Sequence, residues 1–131
     1  MSLYKTVFLA DDDSDDREIF MDAIKAIDNT VRFISAKNGS VALETLQADI
    51  IEKPEIIFLD LNMPFMNGKE LLREIKKIDS LRDIPVIMYS TFFAEEDIRE
   101  FKRLGASHFI LKPSQISTLI TSLNSVLMKK W

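Results

Sequence analysis

The sequence predicts an α/β protein in which five short parallel strands alternate with five helices that cover both faces of one sheet. Apolar runs of strand length recur five times, segments with helical spacing follow each of them, and glycines and prolines fall between. Several runs are continuous rather than alternating, as a parallel sheet buried on both faces requires. Regular alternation of strand and helix implies right-handed crossovers.

The first strand is read over Thr6–Ala10 and stops abruptly in Asp11-Asp12-Asp13-Ser14-Asp15-Asp16, five aspartates in six positions. Such a junction aims carboxylates off the carboxyl edge of the sheet, where open α/β folds hold their ligands. Crowded carboxylates raise one another's pKa unless a cation offsets the charge, and an all-oxygen set suits Mg²⁺. The same stretch reads equally as a helix cap followed by an acidic first turn.

Ile19, Phe20, Ala23, Ile24 and Ile27 form the stripe of the first helix. The second strand is read over Val31–Ser35, and Val41, Leu43 and Leu46 mark the second helix. The third strand, Ile56–Asp60, ends in a carboxylate and precedes a helix marked by Leu71, Leu72 and Ile75. The fourth, Pro85–Tyr89, runs into Ser90-Thr91 and a helix marked by Ile98, Phe101 and Leu104. The fifth, His108–Leu111, runs into Lys112-Pro113 and a long helix lined by Ile116, Leu119, Ile120, Leu123, Val126 and Leu127. Gly39, Gly68, Gly105, Pro54, Pro64, Pro85 and Pro113 all stand at boundaries.

Composition bounds the class. The 131 residues are 47% hydrophobic and 29% charged, which suits one domain over residues 1–131 with its core at about 5–128. No apolar run approaches membrane-spanning length and no signal peptide opens the chain, so no membrane partner is expected. The absence of cysteine excludes thiolate chemistry and is compatible with a cytoplasmic location. A net charge of −4 argues against nucleic acid as a partner.

Parallel strands share one carboxyl edge, so the polar groups at four strand ends converge: Asp11 and Asp12, Asp60, Ser90, and Lys112. Three carboxylates, a hydroxyl and an ammonium would share one site. His108, the single histidine, is read as a surface or packing residue, and Trp131 as a frayed terminus. Phe92-Phe93 either exposes apolar surface for docking or folds under the fourth helix.

Longer motifs stand at these junctions: Phe8-Leu9-Ala10-Asp11-Asp12, then Phe58-Leu59-Asp60-Leu61-Asn62-Met63-Pro64 with Met66-Asn67-Gly68, and Pro85-Val86-Ile87-Met88-Tyr89-Ser90-Thr91. Leu104-Gly105-Ala106-Ser107 and Phe109-Ile110-Leu111-Lys112-Pro113 follow. On these motifs the chain, from Lys5 to Met128, resembles the receiver domains of two-component response regulators. The resemblance implies a flavodoxin-like (βα)₅ sheet of strand order 2-1-3-4-5 and a phospho-acceptor, Asp60, that takes a phosphoryl group from a sensor histidine kinase or a phosphotransfer protein. It also implies Mg²⁺ held by Asp11, Asp12, Asp60 and the backbone carbonyl of Asn62, with Ser90 and Lys112 meeting phosphoryl oxygens. Asp13 falls at a position without a ligand role.

The resemblance further implies a cis Lys112–Pro113 bond, a Ser90–Phe109 switch, and a phosphate lifetime tuned at Asn62 and Phe92. Output would pass to a downstream protein, or to a second copy in a homodimer, through the face of the fourth helix, fifth strand and fifth helix. With three residues after Met128, the chain is expected to be a stand-alone receiver that catalyses only its own phosphorylation and dephosphorylation. Two alternatives stay open. A haloacid-dehalogenase-type aspartyl phosphatase would use Asp11 as nucleophile, although Asp15 stands where that family has Thr or Val. A pseudo-receiver would bind partners without phosphorylation.

Overall fold

The computed structural model describes residues 2–48 and 52–131. The elements run β1 (Thr6–Ala10), α1 (Ser14–Ile27), β2 (Arg32–Ala36), α2 (Gly39–Gln47), β3 (Ile56–Asp60), α3 (Gly68–Lys77), β4 (Val86–Ser90), α4 (Glu95–Leu104), β5 (His108–Leu111) and α5 (Ile116–Leu127). All strand pairs are parallel, in the order β2-β1-β3-β4-β5, so the fold is flavodoxin-like as the sequence suggested.

The period-two pleat splits the core into two layers. Val7, Leu9, Ile56, Phe58, Ile87 and Tyr89 face Phe20, Ala23 and Ile24 of α1 and Leu119, Leu123 and Leu127 of α5. Phe8, Ala10, Ile57, Leu59, Val86 and Met88 face α2, α3 and α4 through Leu46, Leu71, Leu72, Ile75 and Phe101. Every residue of β1, β3 and β4 is buried, which explains why their sequences read as unbroken apolar runs. The edge strands β2 and β5 mix buried and exposed positions.

Both one-residue offsets from the expected strand bounds have a hydrogen-bonding cause. Val31 N–H donates to Asp28 O and closes a turn, so laddering begins at Arg32, opposite Thr6. Pro85 has no N–H and contributes only its carbonyl, which accepts from Ile57 N–H. Ile19, expected in the apolar stripe of α1, is 42% exposed, because the stripe narrows to Phe20, Ala23 and Ile24.

The C-terminus is docked rather than frayed. Trp131 Nε1–H donates to Val126 O at 2.9 Å, its backbone N–H donates to the Tyr4 hydroxyl at 3.1 Å, and that hydroxyl donates to Lys129 O. The indole stacks on the His108 ring at 4.8 Å. Burial there, joined by the Lys129 charge, pushes the His108 pKa below its ordinary value.

Candidate functional site

Four strand ends and one helix start build a cluster at the carboxyl edge. Asp11 directly follows β1 and continues the ladder, its N–H donating to Ala36 O at 3.1 Å, which leaves the side chain fully buried. Asp60 is the last residue of β3, in register with Tyr89, so Ser90 lies one residue further along the neighbouring strand. Lys112 follows β5 and is held by its N–H on Ser90 O at 2.8 Å. Gly68 fixes the loop after β3: a Cβ at this position would lie 2.3 Å from Asp60 O, and its N–H donates to Leu61 O. Only glycine allows that approach.

These elements bring together the residues that the sequence placed at one site. One carboxylate oxygen each from Asp11, Asp12 and Asp60 lie within 4.8 Å of one another, with Asp11 and Asp60 buried and Asp12 exposed. Lys112 Nζ stands 2.8 Å from Asp11 Oδ2, 3.0 Å from Asp16 Oδ2 and 3.3 Å from Asp60 Oδ2. The approach to Asp11 Oδ2 is a charge contact without hydrogen-bond geometry, and that buried oxygen has no hydrogen-bond donor among the described residues. Asp11 Oδ1, by contrast, accepts from Asp13 N–H at 3.0 Å.

The electrostatics follow from burial and charge surplus. Burial pushes the Asp60 carboxyl from its ordinary 3.8 up to about 6; Lys112 and the Asn62 N–H pull it down, while the Asp11 charge pushes it up. Burial works to lower the Lys112 pKa, but Asp11 and Asp16 overcome it and hold the ammonium above its ordinary value. Tyr89 lies beneath Lys112, its ring centroid 5.2 Å from Nζ, and its hydroxyl is pushed up by burial.

The fit of a cation can be judged from this chemistry. Asp11, Asp12 and Asp60 supply only hard oxygen donors, Asp11 and Asp60 share the Lys112 ammonium, and among the described residues one buried oxygen lacks a donor. That set suits a divalent ion such as Mg²⁺. Ser90 is 1% exposed at the end of β4, and Asn62 is exposed in the loop after β3.

Other expectations resolve individually. The described residues contain no cis peptide bond, so Lys112–Pro113 is trans, against the expectation; the trans form is the ordinary preference even before proline. Asp13 caps α1, accepting from the N–H groups of Asp15 and Asp16. The Phe92-Phe93 pair divides: Phe92 is 68% exposed, whereas Phe93 packs edge-on against Phe101 and Phe109 at 6.4 and 5.6 Å. Phe109 is half-buried within that aromatic trio.

Sequence reasoning missed Asp16 and Arg17. Asp16 reads as an ordinary acidic first-turn residue, and its partner Lys112 lies 96 positions away. Arg17 donates to Asp11 O at 2.7 Å and props the acidic loop from the helix side.

A sequence model of the response regulator receiver domain matches residues 7–124. The chain is 34% identical to the chemotaxis protein CheY of Thermotoga maritima, over 93% of this chain and 97% of that one. It spans only 33% of a protein-glutamate methylesterase/protein-glutamine glutaminase from Methanococcoides burtonii, to which it is 34% identical over 92% of its own length. Among solved structures, the phosphorylated cyanobacterial phytochrome response regulator RcpA superposes with a TM-score of 0.86 at 28% identity, covering 94% of this chain and 91% of that one. The Mn²⁺-bound form of response regulator Rcp1 superposes at 0.83 with 26% identity, covering 93% and 91%.

Proposed function

Since the chain belongs to the response regulator receiver domain family, we propose that it is a phospho-acceptor whose Asp60 takes a phosphoryl group from a phosphohistidine on a sensor kinase or phosphotransfer protein. The observation that carries this reading is the buried Asp11–Asp60–Lys112 cluster with its donorless Asp11 oxygen. An Asp60 oxygen attacks phosphorus in line, the new O–P bond forms as the P–N bond breaks, and the imidazole leaves with the nitrogen lone pair. Phosphoryl transfer proceeds through a loose transition state with charge on the equatorial oxygens, so positioned countercharge is most of the catalysis. Lys112 supplies one countercharge and Ser90 a hydroxyl donor.

Asp11, Asp12, Asp60 and the Asn62 carbonyl would hold Mg²⁺. Bound there, the ion supplies charge neutralisation for the acceptor and the incoming anion. The chain then catalyses only its own phosphorylation and dephosphorylation.

Signal output passes from Ser90 to the half-buried Phe109 and so to the α4–β5–α5 face, which meets a downstream protein or a second copy of the chain. The Phe93–Phe101–Phe109 trio supports this, because it ties the loop after Ser90 to α4 and β5. Action in the cytoplasm fits a chain in which no described helix is long and apolar enough to cross a membrane.

The test is localisation of phosphate by mass spectrometry after incubation with phosphoramidate and Mg²⁺. The reading expects modification at Asp60. Modification at Asp11 would instead support the phosphatase chemistry, and no modification would overturn the phospho-acceptor reading.

A further inference from the structure

We propose that Asp16 is a positioning residue that holds the Lys112 ammonium before phosphotransfer and is the acceptor Lys112 releases when a phosphoryl group arrives. This rests on the phospho-acceptor reading and adds a competitor to it. The Lys112 ammonium donates to Asp16 at 3.0 Å and to Asp60 at 3.3 Å and stands in charge contact with Asp11 at 2.8 Å. A phosphoryl group would therefore be a further anion competing for one positive charge that three carboxylates already share.

Burial decides which carboxylate yields. The Asp11 and Asp60 side chains are 0% and 7% exposed, whereas that of Asp16 is 36% exposed. Water can replace the lost partner at Asp16 at small cost; at the buried pair it cannot. Asp16 is held in place by the α1 cap, because Asp13 Oδ1 accepts from Asp16 N–H at 3.2 Å. The carboxylate therefore draws part of the Lys112 charge toward α1 and away from the incoming anion.

The experiment is calorimetric titration with beryllium fluoride, a phosphoryl mimic, at saturating Mg²⁺. It compares the wild type with Asp16→Asn, Asp16→Glu and Asp15→Asn. Asp15 is exposed, and the carboxylates paired with Lys112 among the described residues are those of Asp11, Asp16 and Asp60, so its variant removes an equal charge one residue away. Asp16→Asn is expected to bind about three- to tenfold more tightly than wild type, the range of a partly exposed charge contact. Asp16→Glu restores the charge and is expected to bind more weakly than Asp16→Asn. A purely structural role for Asp16 would move affinity the other way. Equal or weaker binding by Asp16→Asn overturns the proposal, as does an equal gain in Asp15→Asn. Failure of the wild type itself to bind would overturn the phospho-acceptor reading, and this proposal with it.

Discussion

Lys112 Nζ lies 3.3 Å from Asp60 Oδ2, although the two residues are 52 positions apart in the chain. Parallel register creates the contact: Asp60 pairs with Tyr89 on β4, and Ser90 pairs with Leu111 on β5, one residue before Lys112. The cluster is nevertheless unbalanced, with Asp11, Asp16 and Asp60 sharing one ammonium.

Removing that ammonium leaves buried carboxylates without a countercharge. Lys112→Ala is therefore expected to destabilise the metal-free protein by about 2–4 kcal/mol, as when one partner of a buried pair is deleted. Chemical denaturation in the presence of a chelator measures this. A loss below about 0.5 kcal/mol would mean that the carboxylates relax by protonation or exposure.

The Asp60 carboxyl sets a pH dependence of definite sign. Its folded-state pKa is raised from 3.8 to about 6, burial being the main cause, so between those values the native state holds a proton that the unfolded chain has lost. Stability contributed by this group is present at low pH and lost as pH rises through about 6. Melting temperatures of metal-free wild type and Asp60→Asn, taken from pH 4 to pH 7, should show the variant gaining relative to wild type as pH rises. A constant difference would contradict the assignment.

Phe65 carries backbone strain. Its φ is 68°, and Met66 N–H bonds back to Pro64 O across it at 2.7 Å, a three-residue turn of the rare hand. The turn is pressed against α2, since a Cβ on Gly39 would lie 1.9 Å from Met66 O. The Phe65 side chain is 86% exposed and loses little if removed. Phe65→Gly is expected to stabilise by about 0.5–1 kcal/mol, the left-handed penalty exceeding glycine's unfolded-state entropy. Equilibrium unfolding checks this, and a destabilised variant would show that the ring makes a contact worth more than the strain.

Phe92 stands two residues beyond Ser90 and is 68% exposed. On the phospho-acceptor reading, it would offer no hydrogen bond to orient a water for in-line attack on the aspartyl phosphate, and its bulk would hinder that water's approach. Phe92→Glu and Phe92→Ala are expected to dephosphorylate faster by roughly five- to thirtyfold, about 1–2 kcal/mol of barrier. Phosphate release under matched Mg²⁺ measures the rates. Equal rates would place the ring off the water's path.

Legibility in the sequence followed burial. β1, β3 and β4, buried throughout, are unbroken apolar runs whose ends announce Asp11, Asp60 and Ser90. The edge strand β2 slipped by one residue because a turn hydrogen bond at Val31, invisible in composition, decides where laddering starts. Asp16 escaped notice because nothing in a run of aspartates distinguishes a helix-start charge from one that reaches a lysine across the sheet. The docking of Trp131 is not legible in the sequence because its anchors are the backbone carbonyl of Val126, the hydroxyl of Tyr4 and the ring of His108, which only the fold assembles.

The central claim is that Asp60 is the phosphoryl acceptor, and phosphate incorporation into Asp60→Asn tests it most directly. The amide is nearly isosteric, keeps the fold and lacks the anionic oxygen that must attack phosphorus. With radiolabelled phosphodonor and Mg²⁺, wild type should take up label and Asp60→Asn should take up none while melting as a folded protein. Undiminished incorporation in the variant would contradict the account.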